Sequence, residues 1–164
     1  MPALRHFFLA LLTGSALLLT ACQTGREEAK AVPRFYVEVL DANQLGNRVQ
    51  VLEMPGEAQP ITVQTASALN ETHFARVQVV QVDLGRALMF ETTSSGAFQL
   101  MRVSTTNIGR RLVLVVGEEV IGMRRIDGSI QNGVLYTFVF EEEDETSIFE
   151  LADRINKALA RANR

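Results

Sequence analysis

The sequence has no tryptophan, one cysteine and two histidines in 164 residues. A lone thiol, Cys22, cannot form a disulfide within the chain, so the fold rests on apolar burial alone. With only Cys22, His6 and His73, the chain cannot assemble a zinc centre from cysteine and histidine ligands. No glycine-rich run precedes a lysine, which removes the phosphate-binding loop. Positive charge is never concentrated. The pairs Arg110-Arg111 and Arg124-Arg125 are isolated, and the formal net charge is -3. Binding to nucleic acid by neutralising phosphates is therefore not expected. Proline is also scarce, with all four residues at or before position 60. The periodic segments beyond it place the strongest ordered core from about residue 73 onward.

One long apolar run is present, at the front. After Arg5 and His6, "FFLALLTGSALLL" carries no charge from Phe7 to Leu19. That length suits the centre of an export signal and is short for a membrane-spanning helix. Thr20 and Ala21 then supply small residues before Cys22. "LTAC", Leu19 to Cys22, resembles the lipobox of bacterial lipoproteins. The resemblance implies a diacylglycerol on the Cys22 sulfur, cleavage before Cys22 and acylation of the new amino terminus. Two acyl signals suffice for stable anchoring. No cofactor is expected beyond this covalent lipid. Gln23 stands where an aspartate would retain such a protein in the inner membrane, which implies the outer membrane, facing the periplasm. The inner membrane, or the outer face of the plasma membrane in a single-membrane cell, are the alternatives. The expected organisation is a signal at 1–21, a lipidated end and polar tether at 22–34, and one domain at 35–164.

Within that domain "FYVEVLDA" predicts a first strand at 35–42, with weaker strands at "NRVQVLEM" and "ITVQT". "FARVQVVQVDL" puts Phe74, Val77 and Val79 on one phase and Val80 and Val82 on the other. Such a phase change marks a bulge or a strand buried on both faces. "RALMFETT" is another strand. "SGAFQLMRVSTTNIG" predicts a helix with Ala97, Leu100, Met101, Ser104 and Ile108 on one face, Ser94 or Ser95 as its cap and Gly109 ending it. Strands follow at "RRLVLVVG", "EVIGMRRI" and "NGVLYTFVF", with Gly117 and Gly133 in the turns before the last two. The last helix carries Ile148, Leu151, Ala152, Ile155, Leu159 and Ala162 as its apolar stripe. Asp144 or Ser147 caps it, Ser147 and Glu150 fit a capping box, and the run "EEEDE" suits the positive end of its dipole. From residue 74 the order is strand, strand, helix, three strands, helix. This is an α+β fold, a mainly antiparallel sheet with two amphipathic helices packed on one face.

The stretch from Phe98 to Phe140, above all "TTNIGRRLVLVV" and the hairpin after it, resembles the head of the large periplasmic domain of SecD, a membrane component of the protein-export machinery. Asn107, Ile108, Gly109, Arg110, Arg111 and Leu112 match the family's helix-to-strand junction, and the likeness extends over about 72–160. It departs at Arg124, where SecD-like chains often have proline. The resemblance implies a SecD-head-like fold and contact with exported polypeptide, without the membrane motor.

Catalytic candidates are few. His73 beside a strand start reads as a turn histidine. An acylated Cys22 is no nucleophile, and no serine after it has a lysine three residues on. Asp83, Asp127 and "EEEDE" remain as carboxylates for a hydrolase, the alternative to a non-catalytic module. The preferred reading is a lipid-anchored binding or accessory module whose partner is an envelope-assembly or export protein. Its candidate contact residues are Arg110, Arg111, Arg124 and Arg125, because guanidinium forks suit carboxylates and backbone carbonyls. A structural envelope lipoprotein without transient cargo is the other non-catalytic reading.

Overall fold

Leu112 to Val116 are apolar on both phases, so a strand made from them must be covered on both faces. In the computed structural model all five are buried in an interior strand, next to one edge of its sheet. The structure describes residues 31–41, 48–56, 59–140 and 145–164. The signal, the lipobox with Cys22, Asp144 and most of the acidic run lie outside them. In chain order the strands are β1 (Pro33–Val37), β2 (Val49–Leu52), β3 (Ile61–Gln64), β4 (Phe74–Val82), β5 (Gly85–Thr92), β6 (Arg111–Val116), β7 (Glu119–Arg125) and β8 (Val134–Val139). The helices are α1 (Ser94–Thr106) and α2 (Glu145–Ala162), and a short 3-10 turn spans Glu71–His73.

Six strands form one antiparallel sheet in the order β1-β6-β7-β8-β5-β4, while β2 and β3 pair separately. Leu112, Leu114 and Val116 share a core with Leu100 of α1 and with Leu151 and Ile155 of α2. Val113 and Val115 join Met54, Ile61 and Val63 around β2 and β3. The helix layer on one face is as expected. The β2–β3 pair adds a partial second cover, which β6 requires because it is apolar on both sides.

Phe35 of β1 meets Phe74 of β4 at a ring separation of 5.5 Å, although these are the two edge strands. Phe90 packs 5.1 Å from each. The sheet thus curls until its edges meet through aromatic rings. Phe35, Val37 and Leu69 join a main core whose other members, Ala31 apart, lie beyond residue 73. Their partners are distant in sequence, so local periodicity carried no sign of them. β1 also begins at Pro33 rather than Phe35, and Ala31 is already buried.

Both edges of this sheet are occupied. The Asn156 side chain of α2 accepts the Val77 N–H at 2.9 Å and donates to the Val77 carbonyl at 2.8 Å. Asn163 donates to the Phe74 carbonyl. On β1, Phe35 exchanges backbone hydrogen bonds with Ala68 and Leu69. These contacts block strand addition where a sheet is most exposed to it.

Several details differ from expectation. The bulge of β4 is a register shift between Phe74 and Arg76, at the strand's start and not at the Val79–Val80 phase change, and it lets Phe74 and Val77 both face the core. Val80 and Val82 are only half-buried, so the strand is not covered on both faces. Thr93, not Ser94 or Ser95, caps α1 by accepting the Gly96 N–H at 3.1 Å. The helix starts there because Gly96 lies against the His73 carbonyl, where any Cβ would collide. Ile108 lies past the helix end and is exposed, and Gly96 and Val103 complete the buried face. In α2, Ala158 is buried and Ala162 exposed, and Ser147 lies inside the first turn rather than before it. Gly109, Gly117 and Gly133 all have positive φ, as their turn positions require. At Gly117-Glu118 only the glycine is positive, the pattern of a type II′ hairpin turn.

Candidate functional site

β8 alternates from Val134 to Phe138. Leu135 and Thr137 are fully buried towards the helices, which turns Tyr136 and Phe138 to the outer face. Register places Met123 of β7 opposite Phe138, and Met89 of β5 opposite Tyr136. The β2–β3 pair covers β6 and part of β7, but not this half of the sheet. A groove of about 510 Å3 results, with Val82, Leu84, Met123, Tyr136 and Phe138 as its apolar wall. Leu84, at the β4–β5 turn, is 84% exposed. Arg124 and Arg125, together with Asp83 and Asp127, form the rim.

The four arginines of interest occupy different settings. Arg125 is exposed and lies 3.8 Å from Asp127. Arg124 reaches the Tyr136 carbonyl at 3.4 Å. Arg111 stands opposite Arg125 in register and points a guanidinium nitrogen at the Met123 sulfur, 3.7 Å away. Its other terminal nitrogen is 2.6 Å from Glu38 Oε1, and its backbone N–H donates to Glu38 Oε2 at 3.0 Å. Arg110 adds its positive charge near the same carboxylate. The groove therefore gathers Arg124 and Arg125, while Arg110 and Arg111 serve Glu38. Asp83 and Asp127 are brought to one groove, both exposed, and Asp127 lies beside Arg125. The "EEEDE" carboxylates lie outside the residues whose side chains are described.

Glu38 was not singled out from the sequence, yet among the described residues it is the one charged residue that is buried. The signal was an acid between Val37 and Val39 in an apolar strand. The Arg111 hydrogen bond holds its carboxyl below the ordinary value of 4.5, against the opposing effect of burial. Its stabilisation is therefore present above that value and is lost as pH falls through the folded one. Glu38→Gln is expected to cost about 1 kcal/mol at pH 7, a modest figure because Arg111 is half exposed. Urea unfolding at pH 7 and pH 3 checks this. The gap between variant and parent should shrink at pH 3, and an unchanged gap would refute the assignment.

His73 also has a structural task. Its Nδ1 accepts the Asn70 N–H at 3.1 Å, and its carbonyl receives the Thr93 N–H at 2.9 Å. Asn107 caps α1 by donating to the Val103 carbonyl, and Gly109 donates its N–H to the Ile126 carbonyl. Among the described residues no group of three or more histidine, cysteine, aspartate or glutamate side chains is placed to hold a metal ion.

No known family model matches the chain, and no curated protein does. Among solved structures it is similar to SecDF in its super-membrane-facing form, with a TM-score of 0.56 and 18% identity over 79% of this chain and 18% of that one. It is also similar to SecDF described as a membrane component that enhances protein export, with a TM-score of 0.59 and 19% identity over 84% of this chain and 68% of that one. The chain thus spans less than a fifth of the first SecDF chain and about two thirds of the second. What it shares with them is the fold, the mainly antiparallel sheet and two helices of the SecDF periplasmic domain.

Proposed function

We propose that this chain is a lipid-anchored, non-catalytic module of the cell envelope that contacts exported or unfolded polypeptide, alone or beside an export or assembly partner. The observation that carries the reading is the outer half of the sheet, which nothing among the described residues covers. Its apolar groove beside Arg124 and Arg125 offers burial for side chains and guanidinium donors for carbonyls or carboxylates. The likeness to SecDF, a component that enhances protein export, supports the same direction. The anchor is the lipid on Cys22, the location the periplasmic face of the outer membrane, and no other cofactor takes part. Asp83 and Asp127 act as rim charges in this reading, not as an acid–base pair.

The test is site-specific photo-crosslinking in intact envelopes, using the full chain. A photoreactive residue at Leu84, in the groove, should yield adducts with polypeptides in transit. The same residue at Phe98, exposed on α1, should not. Equal labelling from both positions, or none from Leu84, would reject the groove and leave a structural envelope lipoprotein. Intact mass after membrane extraction tests the anchor, since an unmodified Cys22 would exclude it.

A further inference from the structure

A second surface, beside the β2–β3 pair, carries acidic side chains and, among the described residues, an open strand edge. The backbone hydrogen bond from Thr65 N–H to the Arg48 carbonyl, 2.9 Å, fixes the phase of this ladder. In an antiparallel pair the bonded positions alternate. Gln50 and Leu52 therefore turn their backbone groups towards β3, and Val49 and Val51 turn theirs away. The Val39 N–H bonds the Thr62 carbonyl at 2.8 Å, so the far side of β3 is occupied as the same phase predicts. Among the described residues nothing pairs with the outer edge of β2. That edge contrasts with β1 and β4, both of which are blocked.

Beside it opens a cleft of about 690 Å3 between β2 and the β6–β7 turn. Its floor is apolar, with Met54, Val120, Ile121 and Phe140, and Val51 stands 63% exposed at its edge. Glu53, Glu118 and Glu119 line the cleft, all three exposed. None of them forms an ion pair among the described residues. A smaller cavity, also lined by Glu118 and Glu119, has Arg154 of α2 in its lining. Three carboxylates disfavour an acidic ligand or an anionic lipid surface and favour positive charge.

We propose that this cleft accepts an extended polypeptide segment in which lysine or arginine alternates with apolar residues, added as a strand to the free edge of β2. The outward N–H and carbonyl groups of Val49 and Val51 supply the backbone ladder. Alternate side chains of the incoming strand then fall on the apolar floor and towards the carboxylates. The proposal goes beyond the groove at Arg124 and Arg125, and it stands or falls on purified chain whatever the envelope crosslinking shows.

Fluorescence anisotropy of a ten-residue peptide alternating lysine and valine, titrated with the full chain in detergent, provides the test. Binding should be saturable. The counterpart alternating glutamate and valine should not bind. The paired change Glu118→Gln and Glu119→Gln should weaken the lysine peptide roughly three- to tenfold at low salt. Methylating alternate backbone nitrogens of the peptide should abolish binding, since a strand needs its N–H donors. Val51→Pro, which removes one outward donor at an edge position that tolerates proline, should weaken binding without loss of the folded spectrum. Phe98→Ser, at an exposed position of α1 outside both surfaces, should leave binding unaltered. Equal binding of the glutamate peptide, or indifference to methylation, would overturn the proposal. So would a dimer in sedimentation that Val51→Pro converts to monomer while the peptide fails to compete, because the edge would then belong to a second copy.

Discussion

Gly122→Ala should cost about 3 kcal/mol or more, the scale at which overpacking a rigid core becomes exceptional. Gly122 lies in β7, opposite Leu114 on one side and Val139 on the other. An added Cβ would overlap the Phe138 carbonyl oxygen and sit 3.0 Å from its carbon and 3.1 Å from Val139 Cα. All three atoms are backbone, so no side-chain rotation relieves the clash. The strands β7 and β8 would have to part at one of the few positions where they pair. Urea unfolding followed by circular dichroism should show a much lower midpoint or no folded baseline. A loss below 1 kcal/mol would mean that the two strands lie farther apart than the register indicates. Gly117→Ala serves as a comparison, because it perturbs an exposed turn and not the ladder.

Phe90→Ala should cost about 3–5 kcal/mol, the usual range for deleting a buried aromatic ring. Phe90 is fully buried and touches both Phe35 and Phe74, edge-on to the first at an interplanar angle of 86°. The three rings come from β1, β4 and β5, so the deletion removes the link that holds the curled sheet closed. Stability of a domain this size is only about 5–15 kcal/mol in total. The variant should therefore melt far below the parent, and its amide protons in β1 should exchange faster than those in β6. Phe90→Leu keeps most of the volume and should lose less than half as much. Equal losses for leucine and alanine would show that the ring contacts, rather than the space filled, carry the effect.

Local order was legible in the sequence wherever it depended on near neighbours. The strand–strand–helix–three strands–helix order from residue 74 follows from periods of two and of 3.6, and both are what the structure contains. The glycine turns at 109, 117 and 133 followed from the same local chemistry. The misses have a common physical origin. β1 finds its partner β6 more than seventy residues away, and Phe35 finds Phe74 across the full width of the sheet. Nothing within a short window of "FYVEVL" could announce either contact. Thr93 outranks Ser94 as a cap because the helix start is docked on His73, a tertiary constraint that overrides an even choice among hydroxyls. The four candidate contact arginines lie in two settings, which their sequence spacing did not separate. Arg124 and Arg125 line the groove, whereas Arg111 is drawn to Glu38, whose burial is decided by packing and not by its own strand.

The five register pairs of β1 with β6 run from Pro33 opposite Val116 to Val37 opposite Leu112, and the chain enters β1 from Ala31 beside them. A pull along this strand from its amino-terminal end therefore loads those pairs together in shear, instead of peeling them apart one by one. Attached through that end, the domain would meet drag or tension with a joint that fails as a unit. The aromatic contact behind Phe35 would pass the strain to the opposite edge of the sheet.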